Sequence, residues 1–405
     1  MILIITSIQN MIETMWKFIH SLNFIILIFL IITIYHILLY LFRDRNYITN
    51  LKRFNDVPVD SISQLKEILL VSIIVPAWKE GENFKQCLNS ISQLKYQKLK
   101  VIINVGGSKE TIEIANSFKD NQKFTVLYQK AGEGKIKAIN DCLKTISYGI
   151  ICVIDADILL NDDILLNMIY PIVNGDEDIV IAPLIPHFSI INNDLVKYLY
   201  INRNAKFKQK FTRYTFGFAS NACIKHDIIK AIGKFSEKRL LDDAITTGID
   251  LKSKGFKSFR LINHNIPSLT YPITIKDYLN QNLRWIENFL YFSMQNQKFE
   301  IIKFVGLAFL SIFFLALPLF FFINISLFLI GVIFFYYLYL KRIRKIIFYK
   351  ITNKEKVIKI KFFFFIKLIF YIFLDILTNV IAFFEILFYR KAYKKRKNIF
   401  FSEDL

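Results

Sequence analysis

The run Ile150-Ile151-Cys152-Val153-Ile154-Asp155-Ala156-Asp157 joins an unbroken apolar segment to a pair of acids. Apolar, largely β-branched residues without alternation predict a strand buried on both faces. Ionised carboxylates are expensive to desolvate unpaired, so a buried strand ending in two of them implies a partner. Asp155 and Asp157 stand two apart and share one face. In an open α/β sheet the carboxyl ends of the strands are where ligands bind. Hard divalent cations that keep phosphate oxygens as co-ligands need one or two carboxylates placed in this way. Two solvated strand-end aspartates would give the same D-x-D pair, so its surroundings decide.

Upstream, strands alternate with helices. Val71–Val75 is a β-branched strand ended by Pro76, and Glu82–Leu94 a helix. Leu99–Val105, Lys109–Phe118, Phe124–Gln129 and Lys135–Ile146 continue as strand, helix, strand and helix. Downstream, Asp162–Val173 reads as a helix, Ile179–Ala182 as a strand and Leu195–Phe211 as a helix with a basic face. A strand at Ala222–Ile224, a helix at Asp243–Lys252 and a strand at Phe256–Leu261 close the domain. Such alternation predicts a mostly parallel, doubly wound α/β sheet.

The flanks are different in kind. Of 405 residues 54% are hydrophobic and 41 are Phe, too apolar for one soluble domain. The excess lies in Phe18–Phe42, Ile301–Leu340 and Phe362–Phe388, long enough for membrane helices. The expected order is a membrane anchor over residues 1–42, a linker over 43–70 and a globular α/β domain over 71–275. An interfacial amphipathic helix over 276–300 and a transmembrane region over 301–340 follow. A basic cytosolic segment over 341–361, a membrane helix over 362–388 and a basic tail over 389–405 complete it. Nothing resembles a cleavage site, so the first run reads as an anchor and not a removed signal.

The net charge of +20, from 53 Lys+Arg against 33 Asp+Glu, invites a nucleic-acid reading. Its placement argues otherwise. The surplus flanks the apolar runs, at Arg43, Arg45, Lys52 and Arg53, at Lys341, Arg342, Arg344 and Lys345, and from Arg390 to Lys397. Clusters beside spans are what the positive-inside bias and anionic headgroups favour, with the globular domain facing the cytoplasm. Cys87, Cys142, Cys152 and Cys223 sit in apolar contexts without a C-x-x-C pair and read as small buried hydrophobes in a reducing compartment. The five histidines show no ligand spacing.

Five motifs complete the pattern. They are Val71-Ser72-Ile73-Ile74-Val75-Pro76-Ala77-Trp78-Lys79-Glu80; Gly132-Glu133-Gly134-Lys135 with Asn140; Asp155-Ala156-Asp157; Leu241-Asp242-Asp243; and Gln281-Asn282-Leu283-Arg284-Trp285. In this order the chain resembles the membrane-embedded family 2 glycosyltransferases, the group of cellulose, chitin and hyaluronan synthases. The resemblance covers roughly residues 70–290 and the flanking helices. It implies a GT-A nucleotide-sugar-binding domain in which Pro76, Ala77 and Glu80 face the nucleotide. Lys135 and Asn140 would belong to the same nucleotide-sugar site, with Lys135 meeting the diphosphate at a helix start, a natural anion position. Asp157 would ligate Mg²⁺ or Mn²⁺ between the phosphates, supported by Asp155, which also serves the ribose.

Asp243 would be the general base that takes the acceptor hydroxyl's proton. Asp242-Asp243 could equally cap the following helix. Gln281, Arg284 and Trp285 would hold the diphosphate and acceptor sugar, although Trp and Arg are also ordinary interface residues. Gly106 stands where the family usually has an Asp that contacts uracil, and Glu110 is the available substitute.

The implied reaction is inverting, metal-dependent sugar transfer from a nucleotide diphosphate sugar, with UDP as the expected carrier. The acceptor is a polysaccharide or glycolipid at the membrane. The alternatives are single transfer to lipid, as in ceramide glucosyltransferases that share Q-x-x-R-W, and a catalytically dead membrane scaffold. About four membrane segments with thin polar lining (Asn324, Ser326, Asp375, Thr378 and Asn379) favour short addition in a monomer, and a polymer only if protomers assemble. Counting four spans places both termini outside and Arg390–Lys397 on the wrong side, unless Ile301–Leu340 crosses once with a re-entrant part or Phe362–Phe388 does not span simply.

Overall fold

The computed structural model describes residues 12–13, 23–46, 59–175, 177–204, 221–235, 251, 254–261, 265–296, 298–352 and 358–388. A first helix, α1 (Asn23–Asp44), precedes the α/β domain. That domain runs β1 (Val71–Trp78), α2 (Glu82–Ser92), β2 (Leu99–Gly106), α3 (Lys109–Asn116), β3 (Phe124–Tyr128), α4 (Gly134–Leu143), β4 (Ile150–Val153) and α5 (Asp162–Val173). Next come β5 (Ile179–Ile181), β6 (Leu184–Pro186), α6 (Asp194–Asn204), β7 (Ala222–Lys225), α7 (His226–Ile232), β8 (Ser258–Arg260) and β9 (Ile266–Ser268). The remainder is helical: α8 (Ile275–Asn296), α9 (Lys298–Leu315), α10 (Leu317–Ile323), α11 (Ile325–Thr352) and α12 (Phe362–Phe388).

The main sheet has the order β3-β2-β1-β4-β7-β5-β8. Its pairs are parallel except where β7 lies antiparallel between β4 and β5. Successive residues of each central strand feed opposite faces. Ile73, Val75, Val101, Ile103 and Ile150 pack under α2, α3 and α5, in a core with Leu88, Ala115 and Leu165. Ile74, Ile102, Ile151 and Val153 face the other way, onto Ile139 and Leu143 of α4 and Ile228 of α7. The sheet is therefore doubly wound, and each fully buried Ile contributes roughly 1.5–3 kcal/mol. Local chemistry starts the helices: the Ser108 hydroxyl accepts from Thr111 N–H at 3.2 Å and Asn161 Oδ1 from Ile164 N–H at 2.8 Å.

Two expectations change here. β1 does not stop at Pro76 but pairs with β2 as far as Trp78 opposite Gly106. The reason is the ladder's geometry. Ile74 directs its carbonyl to β4, accepting from Ile154 N–H at 2.9 Å. Pro76, two residues on, faces the same side, where β4 has already ended. Its missing N–H therefore removes no strand bond. The cysteines also differ. Cys152 and Cys223 stand opposite each other across the antiparallel β4–β7 pair and are joined by a disulfide. Cys87 and Cys142 are free and buried, as expected of small hydrophobes. A reducing compartment no longer follows from the cysteines.

Among the described residues three helices are long and apolar enough to cross a membrane: Asn23–Asp44, Ile325–Ile351 and Phe362–Glu385. A fourth candidate is the pair Ile302–Leu315 and Leu317–Ile323, bent by 58°. α1 and α11 run in the same direction, with Thr33 bonded to Tyr336 at 2.9 Å and Asp44 paired with Arg344 at 2.9 Å. A separate apolar cluster joins α6 and Tyr278 of α8 to α11 and α12.

Candidate active site

The carboxyl edge of β1, β2 and β4 collects the titratable groups. Asp155 and Asp157 follow β4 directly, and Glu80 follows β1. Lys135, in the first turn of α4, sets its Nζ 2.7 Å from Asp155 Oδ1. Burial, and then the neighbouring Asp155 and Glu80, push the Asp157 carboxyl up to about 7. Burial and then Asp155 likewise raise Glu80. Acids gathered in this way are poised for a cation, because like charges that close favour protonation unless a positive group intervenes. Among the described residues no three His, Cys, Asp or Glu side chains close around one ion. The donor set fits a hard divalent cation that takes one or two carboxylates here and its other ligands from phosphate and water.

Residues distant in sequence fix Asp157. Thr270 Oγ1 donates to Asp157 Oδ2, and Leu269 N–H donates to the Asp157 carbonyl at 2.8 Å. Asn221, buried and in a left-handed conformation (φ 75°), donates its N–H to Val153 O at 2.6 Å. Its Oδ1 accepts from Asp155 N–H at 3.5 Å. Lys79 is also left-handed (φ 56°), and its N–H reaches Gly106 O at 3.1 Å. Two non-glycine residues in this region flank one sheet edge, where strain is held by the surrounding structure. Sequence reading assigned no role to Thr270 or Asn221, and took Lys79 only as part of the Pro76–Glu80 strand end that faces the nucleotide. An Asn in a turn is the one weak signal among them.

The structure distributes the other expected residues unevenly. Pro76 and Ala77 lie buried in the last part of β1, with Glu80 half-buried beyond them. Asn140 is not at the sheet edge. It is buried, and its amide spans the backbone of Phe235, donating to the carbonyl at 2.9 Å and accepting from the N–H at 3.0 Å. These two bonds give Asn140 a structural part in holding the Phe235 backbone. Asp242 and Asp243 lie outside the described residues. Gln281, Arg284 and Trp285 occupy α8, with Gln281 half-buried and Arg284 and Trp285 exposed.

Gly106 has a steric reason. A Cβ there would stand 2.5 Å from Trp78 Cζ3 and 2.6 Å from Gln129 O. The Trp78 ring fills the position a side chain would need. Glu110 turns its carboxyl toward Gly81, with Oε1 3.2 Å from where a Cβ on Gly81 would be. That sets it beside the residue that follows Glu80.

Residues 72–233 match glycosyl transferase family 2. Poly-beta-1,6-N-acetyl-D-glucosamine synthase of Staphylococcus epidermidis is 32% identical over 102 residues, 25% of this chain and 25% of that protein. The synthase of the same name from Staphylococcus aureus is 27% identical over 144 residues, 35% of this chain and 34% of its own. The chain thus spans a quarter to a third of the length of these relatives. Among solved structures, the mannosyltransferase PcManGT of Pyrobaculum calidifontis in complex with GDP-Man and Mn²⁺ superposes with a TM-score of 0.47 at 17% identity. That match covers 65% of this chain and 73% of the other. With its sheet order, its helices on both faces and its acids at the carboxyl edge, the segment 72–233 is a glycosyltransferase family 2 domain of GT-A-like fold.

Proposed function

We propose that this chain is an inverting membrane glycosyltransferase that moves a sugar from a nucleotide diphosphate sugar to a membrane-associated polysaccharide. The observation that carries the reading is the meeting of Glu80, Lys135, Asp155 and Asp157 at one sheet edge inside a family 2 domain. Pro76, Ala77 and Glu80 line the nucleotide's side. Lys135, released from Asp155, neutralises a phosphate. Asp157 and Asp155 would hold Mg²⁺ or Mn²⁺, which supplies charge stabilisation to the leaving diphosphate. Asp243 accepts the proton of the attacking hydroxyl, and this single displacement needs no protein nucleophile. Gln281, Arg284 and Trp285 on α8 meet the diphosphate and the acceptor, Arg by forked hydrogen bonds and Trp by its flat apolar face. UDP is the preferred carrier, with Glu110 as the carboxylate nearest the vacant role of Gly106.

The relatives' names favour a polymer over single addition to lipid, and they make N-acetylglucosamine the first sugar to test. The deciding experiment incubates the full chain, reconstituted in lipid, with a panel of labelled nucleotide sugars. The products are sized by mass spectrometry, with and without EDTA. Metal-dependent transfer from a UDP-sugar into a ladder supports the proposal. A product stopping at one sugar moves it to the lipid-acceptor reading. No transfer from any donor leaves the scaffold alternative standing.

A further inference from the structure

Asp375 lies in α12, among apolar neighbours, yet its carboxylate gathers donors from separate parts of the molecule. Tyr198 of α6 and Arg342 of α11 both donate to Oδ2, the arginine at 2.7 Å, and Tyr278 of α8 donates to Oδ1. The second arm of Arg342 reaches Asn202 Oδ1 of α6 at 2.7 Å. Tyr198 and Tyr278 are both almost completely buried. Burial pushes both hydroxyls far above the usual tyrosine range, so both remain donors. The Asp375 carboxylate is half-buried, and loss of one partner would leave it less compensated in its apolar surroundings. Together with the Lys367–Asp194 pair, this hub ties the α/β domain to α11 and α12 beside their shared apolar cluster.

Its position relative to the motif helix gives it a role. Tyr278 precedes Gln281 by three residues, Asn282 by four and Trp285 by seven, so all share one face of α8. Asn282 Nδ2 donates back to Tyr278 O at 2.9 Å. The bond from Tyr278 to Asp375 therefore fixes the rotation of α8 about its axis just before the Gln281–Trp285 segment. Leu283, five residues after Tyr278 and on a different face of α8, packs in a cluster with Ala382 of α12, a second contact between the two helices. We infer that Asp375 is a positioning residue for sugar transfer, clamping α8 through Tyr278 so that Gln281 and Trp285 face the acceptor. The inference rests on the proposed role of α8 in transfer.

The test uses the full chain in nanodiscs with Tyr278→Phe, Asp375→Asn and the double variant. Tyr278→Phe removes a hydroxyl and leaves the packing. A misplaced positioning helix is expected to lower kcat about tenfold to a hundredfold, a larger change than that in the donor KM. The double variant should be no worse than Asp375→Asn alone, because the residues act through one bond. Hydrogen exchange should rise in Ile275–Trp285 and stay unchanged in β1–β4. Unchanged kcat, independent losses that multiply in the double variant, or exchange rising across the whole sheet would each overturn the inference. If the wild type turns over no nucleotide sugar, the glycosyltransferase reading fails with it, and localised exchange would then show Asp375 as a clamp of α8 without a catalytic consequence.

Discussion

Asp157 is bonded by Thr270 on one oxygen and crowded by Asp155 and Glu80, so a cation beside it would favour its charged form. Asp157→Asn keeps the volume and removes the charge. Transfer should fall to background in a radiolabel assay, and EDTA should produce the same loss reversibly in the wild type. Full activity in the stripped enzyme would refute the metal role. Asp243→Asn should leave nucleotide binding by calorimetry nearly intact while turnover drops roughly a hundredfold or more, the usual worth of a positioned base. A parallel loss of binding would make Asp243 structural. Gly106→Ala places a methyl group against the Trp78 ring and the Gln129 carbonyl. Overpacking of this kind costs about 1–3 kcal/mol, seen as a lowered thermal midpoint, and an unchanged midpoint would show that Trp78 can move aside. These residues also mark the limit of sequence reading at the site. Asp155, Asp157, Glu80 and Lys135 were legible because motif spacing and a buried strand announce them. Thr270 and Asn221 were not, since only the folded chain brings them to β4.

Among the elements, α12 departs most from its sequence pattern. Its composition is that of a membrane span, but one face is committed to the α/β domain: Lys367 pairs with Asp194 at 2.6 Å, and Asp375 binds Tyr198. Its opposite side exposes Phe362, Phe363, Ile366, Ile369, Phe370 and Phe373. Beyond Asp375 only about 13 residues remain, about 20 Å of helix, against a hydrocarbon core of roughly 30 Å. The few polar groups that a sugar channel could use here are further reduced, because Asp375 is engaged in the hub and Thr378 donates to Leu374 O at 2.7 Å. α12 is therefore expected not to cross the bilayer alone. A cysteine placed at Ser402 should resist an impermeant thiol reagent applied to intact cells, and ready labelling from outside would restore the simple span.

For the whole molecule, the parallel course of α1 and α11 brings Asp44 and Arg344 to one level, which is where the α/β domain attaches. If α1 and α11 both cross, the bent pair α9 and α10 is the segment that would return the chain to the far side before α11 begins. We propose, from the basic clusters around Arg43 and Lys341, that this level is the cytoplasmic face. Tyr148 is 62% exposed on the α/β domain, whereas Cys87 and Cys142 are buried. Tyr148→Cys should therefore stay unlabelled by an impermeant reagent in intact cells and react after permeabilisation. Labelling without permeabilisation would reverse the orientation.

The order of strands and helices from β1 to β5, the doubly wound sheet and the acids after β4 were legible in the sequence, because buried strands, amphipathic helices and their turns each carry a local pattern, whereas the short β6, α7 and β9 were not. The membrane-facing character of the flanks followed in the same way from uncharged runs bounded by basic clusters. Only the tertiary structure decided that β1 passes through Pro76, that Cys152 meets Cys223, that Asn140 serves Phe235, and that Asp375 binds helices α6, α8 and α11. In each case the deciding contact joins residues far apart in the chain. Register, side-chain direction and the need of a buried polar group for a partner settle such contacts, and none of these leaves a periodic trace in the sequence.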